Sequence, residues 1–279
     1  AKMKVAVVTG ANKGIGFEIV KALCQRYNGN VYLTARNAIK GNAAACKLKK
    51  LGLNPIFRQL DVEDEESIKR FRDYIAKREG GINLLFNNAG VTFDECTQLF
   101  SKEAEKVVNV NFFGTLHVSE ILAPLLRYGA RIINTSSYFG HLSNIPSASL
   151  RDRLASRNLT VDGLCQLMNE YLSDVRQNKH ITNGWGDSPY NVSKVAVAAL
   201  TIVLQRQFDN DPEKRQISVN SVHPGYSKTD LTGNTGTYTA EEGARPALFA
   251  ALDAEGLRGQ FVWENLAIID WYSPNPPSF

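Results

Sequence analysis

The sequence has little of what marks exported, membrane-spanning or nucleic-acid-binding proteins. Its 279 residues include only four cysteines and no Cys-x-x-Cys pair, which argues against a disulfide framework and a metal site. The apolar stretch before Gly10 is too short for a signal peptide, and no apolar run approaches the roughly 18 residues of a membrane-spanning helix. A formal net charge of +4 does not indicate a nucleic-acid or membrane-surface partner. We therefore expect a cytoplasmic protein with reduced thiols.

Strand-like and helix-like segments alternate along the chain. Continuous apolar runs predict strands at 5–8, 31–33, 56–60, 82–86, 130–134, 217–222 and 260–263. Helical patterns lie between them at 15–27, 42–51, 65–77, 104–126 and 190–208. Strands that are apolar on both faces, alternating with helices, are typical of parallel sheets covered on two sides. The predicted fold is α/β, a doubly wound parallel sheet of the Rossmann-like type.

The stretch at about 138–189 departs from this alternation, because it contains no recognisable strand pattern. Thr160 can cap a helix that ends near Gln177 and carries one apolar stripe. The stripe consists of Leu164, Leu167, Met168, Tyr171, Leu172 and Val175. No linker separates the parts, so we predict one domain over residues 1–279 with a helical insertion before the last long helix.

A glycine-rich loop follows the first strand and opens the first helix. Gly10 allows a tight turn, Gly14 lets the backbone approach a pyrophosphate, and Gly16 permits close packing of helix on sheet. The spacing, Gly-x-x-x-Gly-x-Gly, differs from the Gly-x-Gly-x-x-Gly dinucleotide fingerprint. On this segment alone, a flexible turn is the alternative. The candidate loop residues are Gly10, Asn12, Lys13, Gly14, Ile15 and Gly16.

Loop 9–16 and the motif Asn87-Asn88-Ala89-Gly90 after the fourth strand together resemble the short-chain dehydrogenase/reductase family. The resemblance implies that several further residues border a bound dinucleotide. They are Asn88, Ala89 and Gly90 in the second motif, Asp61 and Val62 beside the adenine, and Pro224, Gly225 and Thr229 near the nicotinamide.

The choice of nicotinamide cofactor is argued from charge. An acidic residue at the end of the second strand would accept the ribose hydroxyls of NAD and repel a 2′-phosphate. Arg36 stands there instead, and Lys13 offers a second cation. These residues favour NADPH, although both could simply be solvated surface charges.

A phenol and an ammonium stand four residues apart in the predicted helix at 190–208. Tyr190 and Lys194 therefore share one helix face, and the ammonium is expected to lower the tyrosine pKa and so permit proton exchange. This spacing alone is common on helix surfaces. In the family, the preceding strand presents a serine that polarises the substrate carbonyl, which matches Ser137, and a helix asparagine positions a relay water, which matches Asn111. A buried structural amide is the alternative for Asn111.

The wide separation of Ser137 and Tyr190, with Gly184-Trp185 before the catalytic helix, resembles the monomeric carbonyl reductases of this family. The resemblance implies NADPH-dependent reduction of aldehydes, ketones or quinones by a monomer. Alternatives are an NADPH-binding redox sensor without turnover, a dehydrogenase of one specific alcohol, and a lyase or epimerase on the same fold.

Aromatic side chains flank the expected catalytic residues and predict an apolar, planar substrate slot, although at least one of them is expected to be a core residue. The slot comprises Ser137, Tyr138, Phe139, Trp185, Tyr190 and Tyr226. Carbonyl reductases usually carry tryptophan after Pro-Gly and often cysteine before it. Tyr226 and His223 are therefore departures that leave the substrate range open.

Overall fold

The described strands form one mostly parallel sheet in the computed structural model, which describes residues 3–92 and 99–276. Their order across the sheet is β3-β2-β1-β4-β5-β6-β7-β8. Only β8 runs antiparallel to its neighbour. The strands are β1 (Lys4–Val8), β2 (Gly29–Ala35), β3 (Ile56–Gln59), β4 (Ile82–Asn87), β5 (Leu126–Thr135), β6 (Ser218–Val222), β7 (Phe261–Val262) and β8 (Ile268–Ile269). The predicted fold class is confirmed.

Helices cover both faces of this sheet. They are α1 (Gly14–Arg26), α2 (Ala38–Lys50), α3 (Glu65–Arg78), α4 (Phe100–Val108), α5 (Gly114–Leu122), α6 (Ala148–Leu154), α7 (Val161–Arg176), α8 (Pro189–Asp209) and α9 (Ala240–Leu248). Successive residues of β1 pack on opposite sides, Ala6 with α1, α2 and α9 and Val7 with the other large helices. Two cores explain why the strand sequences are apolar throughout. Within the described ranges, no helix is long and apolar enough to span a bilayer.

The helix predicted at 104–126 is broken in the structure. A π-helical turn at Asn109–Phe113 separates α4 from α5, and a 3-10 turn at Ala123–Leu125 ends the helical region. Pro124 in that turn lacks the N–H that a continuing helix needs. β5 consequently begins at Leu126, earlier than expected. Neither α6 nor β8 was predicted, because both are too short to leave a periodic pattern.

The insertion folds around the predicted amphipathic helix. The Thr160 hydroxyl accepts the Gly163 N–H at 3.1 Å and caps α7 as expected. All members of the predicted apolar stripe are buried. α7 packs against α4 and α8, which lie beside the sheet. The Trp185 indole donates a hydrogen bond to Asp174 at 2.9 Å and meets the Tyr171 ring edge-on.

Tyr171 gives a stability prediction, since its fully buried hydroxyl has no hydrogen-bond partner among the described residues. An unsatisfied buried polar group costs about 1–3 kcal/mol. Tyr171→Phe should therefore raise the free energy of unfolding in urea by about 1 kcal/mol. The matched control is Tyr32→Phe, which should lower it, because the Tyr32 hydroxyl donates to Glu79 at 2.6 Å. Destabilisation by Tyr171→Phe would contradict the interpretation.

Candidate active site

The glycine-rich loop combines left-handed backbone with close contacts. Gly10 and Gly14 have φ angles of +62° and +56°, which side chains disfavour. A Cβ atom on Gly16 would lie 2.4 Å from the Asn88 amide nitrogen. Lys13, at the cap position of α1, makes no side-chain hydrogen bond to the first turn, so the turn's N–H groups can receive an anion. Asn12 and Ile15 are partly exposed beside them. The loop fits a dinucleotide pyrophosphate.

Thr9, which was not predicted as a site residue, joins the Asn87–Gly90 motif to this loop by hydrogen bonds. Its hydroxyl oxygen accepts the N–H groups of Asn88 and Ala89 at 3.0 and 3.1 Å. The Asn88 amide donates back to the Thr9 carbonyl at 3.0 Å. A Cβ atom on Gly90 would lie 3.2 Å from Asn111 Oδ1 and 3.4 Å from Lys194 Nζ. The motif thus touches the nucleotide loop on one side and the expected catalytic residues on the other.

Arg36 and Lys13 occupy the two cationic positions. The Arg36 guanidinium lies 3.5 Å from the Glu63 carboxylate, and Lys13 Nζ lies 2.6 Å from Asp230. Both cationic side chains are 62% exposed. Ion pairs this exposed contribute little free energy, so either cation can exchange its carboxylate partner for a phosphate.

The remaining predicted cofactor residues lie at the strand ends and in the loop after β6. Asp61 accepts the Glu63 N–H at 3.1 Å, and the neighbouring Val62 is buried. Thr229 faces the glycine loop, since a Cβ atom on Gly14 would lie 3.3 Å from its methyl group. Pro224 and Gly225 are partly buried, and Gly225 has a φ angle of +74°.

The expected catalytic side chains converge where β5 ends and α8 begins. Ser137 follows β5, while Tyr190 and Lys194 lie one turn apart near the start of α8. The Ser137 hydroxyl faces the Tyr190 phenol closely enough to lower the pKa of Tyr190 by hydrogen bonding. Lys194 Nζ donates to the Thr135 carbonyl at 2.9 Å and lies 5.6 Å from the centre of the Tyr190 ring.

Burial sets the protonation states of this pair. Burial raises the pKa of Tyr190, and the hydrogen bond from Ser137 opposes the rise only in part. Burial also lowers the pKa of Lys194 to about 8. The shift of the Tyr190 pKa is opposite to the one expected from the sequence, because desolvation by burial is the largest cause. Tyr190 is therefore a neutral phenol at neutral pH, ready to donate a proton.

Asn111 lies inside the π-helical turn and is almost fully buried. Its amide donates to the Val91 carbonyl and to the Ser193 hydroxyl, each at 2.9 Å, and its carbonyl accepts the Val91 N–H at 2.8 Å. These bonds tie α8 to the segment after β4. They fit the structural alternative for Asn111 and also hold it beside Lys194.

Comparisons with known proteins agree with this geometry. A family model described as short chain dehydrogenase matches residues 4–149. The chain belongs to this family. The solved structure of salutaridine reductase from Papaver somniferum has a TM-score of 0.85 at 33% identity, covering 92% of this chain and 99% of that one.

Relatives at higher identity extend over almost the whole chain. Carbonyl reductase (NADPH) 1 of Bos taurus is 38% identical over 273 residues, which are 96% of this chain and 98% of that protein. Carbonyl reductase (NADPH) 3 of Rattus norvegicus is 41% identical over 266 residues, with coverages of 93% and 95%. The resemblance found in the sequence is thereby confirmed at the level of family.

Three of the four aromatic residues that were predicted to flank the catalytic residues lie around the catalytic centre or on the loop after β6. Phe139 is 44% exposed and meets the Tyr190 ring edge-on, with centroids 6.4 Å apart. Tyr138 is half-buried against His223 and Trp263. Tyr226 is 52% exposed, and its hydroxyl bonds to Thr235.

Trp185 is a correction to the predicted slot. Only 1% of it is exposed, and its contacts with Asp174 and Tyr171 place it in the core of the insertion. Sequence proximity to Tyr190 was misleading, because the indole turns away to satisfy its N–H on α7.

His223 forms a buried pair with Glu264, a residue that no sequence motif singled out. Its Nδ1 accepts the Gly225 N–H at 3.3 Å, so in the neutral ring Nε2 carries the proton. Nε2 lies 3.1 Å from the Glu264 carboxylate. Burial lowers the pKa of His223 to about 3 and raises that of Glu264. His223 therefore supports the backbone turn at Gly225 through its Nδ1.

The low pKa of His223 predicts a loss of stability in acid. In the unfolded chain His223 is protonated near pH 6.5, whereas in the folded chain it is protonated only near pH 3. The stability that neutral His223 contributes is therefore complete above pH 6.5 and is lost progressively as the pH falls toward 3. Between about pH 6 and 4, the unfolding free energy should fall more steeply than in His223→Gln, by up to about 1.4 kcal/mol per pH unit. His117→Gln, at a partly exposed histidine, should keep the steep slope. Equal slopes for wild type and His223→Gln would refute the prediction.

Proposed function

We propose that the protein is an NADPH-dependent reductase that converts aldehydes, ketones or quinones into alcohols or hydroquinones. The observation that carries the proposal is the meeting of the Ser137 hydroxyl, the Tyr190 phenol and the Lys194 ammonium beside the glycine loop. The names of the relatives, carbonyl reductase (NADPH), support both the substrate class and the cofactor.

The residues of the nucleotide site fit this cofactor. The first turn of α1 would hold the pyrophosphate, Asp61 and Val62 would border the adenine, and Arg36 with Lys13 would hold the 2′-phosphate. Asn88, Ala89 and Gly90 would line the cleft beside the ribose. The loop that contains Pro224, Gly225 and Thr229 would lie against the nicotinamide.

The chemistry then follows from three side chains. Bound NADPH would supply the hydride to the carbonyl carbon. Tyr190 donates its proton to the carbonyl oxygen, and Ser137 stabilises the negative charge that develops there. Lys194 would hold the nicotinamide ribose, and its charge favours the phenolate that Tyr190 leaves behind. Asn111 would keep a relay water beside Lys194.

Replacement of the proton donor tests these roles. In Tyr190→Phe, kcat should fall by at least about 100-fold, the range expected for loss of a general acid, while NADPH affinity changes little. Tyr128→Phe, at a tyrosine that is 75% exposed, is the matched control and should retain full activity. A Tyr190→Phe enzyme with most of its kcat would refute the assignment. Tight NADPH binding by the wild type without turnover of any carbonyl would instead indicate a redox sensor.

Cofactor preference tests Arg36. A charge-assisted contact to phosphate contributes about 1.5–3 kcal/mol, or roughly 10- to 150-fold in affinity. Arg36→Asp should therefore erode or reverse the preference for NADPH over NADH, measured as the ratio of the two kcat/KM values. Lys50→Asp makes the same charge change at the end of α2 and should leave the ratio unaltered. Equal use of both cofactors by the wild type would contradict the electrostatic argument.

The aromatic rings favour a planar substrate. Phe139 and Tyr138, with Tyr226 on the loop after β6, would offer apolar faces to the substrate, which suits aromatic carbonyls and quinones better than short aliphatic ketones. Trp185 is left out of this slot because it is buried in the insertion.

We also propose that the protein is a monomer of the cytoplasm. The support for a monomer is the packing of α7 on α4 and α8, which gives those helices an intramolecular cover. Cys24, Cys46 and Cys165 are unpaired, which suits a reducing compartment. Sedimentation at micromolar concentration should give a mass near 30.9 kDa. A stable dimer or tetramer would contradict the proposal.

A further inference from the structure

The segment 268–276 contacts the turn that follows Ser137. The indole N–H of Trp271 donates to the Gly140 carbonyl at 2.8 Å, and the indole ring is almost fully buried. One residue further, His141 Nε2 lies 3.1 Å from the Asp270 carbonyl oxygen and 3.2 Å from the Ser273 hydroxyl. Two neighbouring residues of the turn are therefore bonded to one short stretch of chain.

The protonation of His141 follows from these partners. A carbonyl oxygen only accepts hydrogen bonds, so Nε2 must carry the proton. The unprotonated Nδ1 then accepts the Ser143 hydroxyl at 2.9 Å. His141 is fully buried, and this burial lowers its pKa, so the neutral ring keeps the donor directed at Asp270.

The opposite side of the same turn rests on the catalytic helix. A Cβ atom on Gly140 would lie 2.0 Å from the Ser136 hydroxyl oxygen and 2.9 Å from the Lys194 carbonyl oxygen. The Ser136 hydroxyl also donates to that Lys194 carbonyl at 2.9 Å. The turn is thus held between segment 268–276 and the backbone of α8 at Lys194.

We propose that Trp271 and His141 are positioning residues for the reduction. They fix the turn that carries Ser137, Tyr138 and Phe139 relative to Tyr190, without touching the substrate themselves. The turn itself closes through the Gly140 N–H, which donates to the Ser137 carbonyl at 2.9 Å, and through the His141 N–H and the Asn144 amide, which donate to the Tyr138 carbonyl at 3.3 and 3.2 Å. A catalytic hydroxyl must be held within about 0.5 Å of its productive position, so outside support matters. This inference rests on the proposed role of Ser137.

The test compares two substitutions of the same kind. Trp271→Phe keeps an aromatic ring but removes the bond to Gly140. Trp185→Phe removes an equally buried indole bond, to Asp174 at 2.9 Å, in the insertion and away from the catalytic turn. Trp271→Phe should lower kcat for an aromatic aldehyde by about tenfold, the effect of one lost bond of about 1.4 kcal/mol, with NADPH affinity within twofold of wild type. Trp185→Phe should lower thermal stability similarly and leave kcat unchanged.

A second readout does not depend on turnover. Amide hydrogen exchange across residues 137–144 should speed up in Trp271→Phe and remain unchanged in Trp185→Phe. His141 provides a second pair of variants. His141→Gln keeps an N–H near the Nε2 position and should retain most of the wild-type kcat, whereas His141→Leu should lose activity as Trp271→Phe does.

The outcomes separate this inference from the proposed function. Equal kcat in Trp271→Phe and Trp185→Phe, or equal loss in both His141 variants, would overturn the positioning role. Unchanged kcat in Ser137→Ala and Tyr190→Phe would instead overturn the proposed function. If Trp271→Phe does not fold, the two His141 variants decide.

Discussion

The close contact between the glycine loop and the Asn87–Gly90 motif is the constraint on which the site depends. A Cβ atom on Gly10 would lie 2.8 Å from the Ala89 Cα atom, and one on Gly16 would meet Asn88. The sheet makes this contact available because β1 and β4 are direct neighbours. Their carboxyl ends therefore open at the same edge, where the strand order reverses and where ligands of such sheets bind. Small residues at both positions bring the nucleotide loop within reach of the catalytic helix.

The electrostatics of the catalytic pair follow from the same close packing. Lys194 reaches the Thr135 carbonyl from inside the protein, where water cannot solvate its ammonium group, and Tyr190 is desolvated beside it. Burial thus disfavours both charged forms at rest. A phenol kept neutral in this way holds its proton until negative charge appears on a substrate oxygen. The nearby ammonium can then stabilise the resulting phenolate more strongly than it could in water.

Much of this arrangement was predictable from the sequence, because its signals are local. The glycine loop, the Tyr190–Lys194 spacing and the stripe of α7 each depend on residues a few positions apart. The failures are long-range. Trp185 lies near Tyr190 in the sequence, but its N–H finds a partner on α7. The direction in which the pKa of Tyr190 shifts depends on burial, and the spacing of residues in the sequence does not show burial.

Other features left no periodic or motif signal in the sequence. His223 was singled out only as a departure from related proteins, and its partner Glu264 lies on a different segment. The bonds from His141 and Trp271 likewise join residues about 130 positions apart, with separations of 129 and 131. Such pairs become visible only when the strand order is known.

The π-helical turn at Asn109–Phe113 also fixes the length of this region. Its closing bond runs from the Gly114 N–H to the Asn109 carbonyl, one residue wider than an α-helical turn. Because an α-helix rotates by about 100° per residue, deleting one residue here would turn Leu116 and Leu122 away from the core. Asn111 would lose its present orientation at the same time. The extra residue thus sets the rotation of α5 relative to α4, and it keeps Leu116 and Leu122 in the core while the Asn111 amide bonds to Val91 and Ser193.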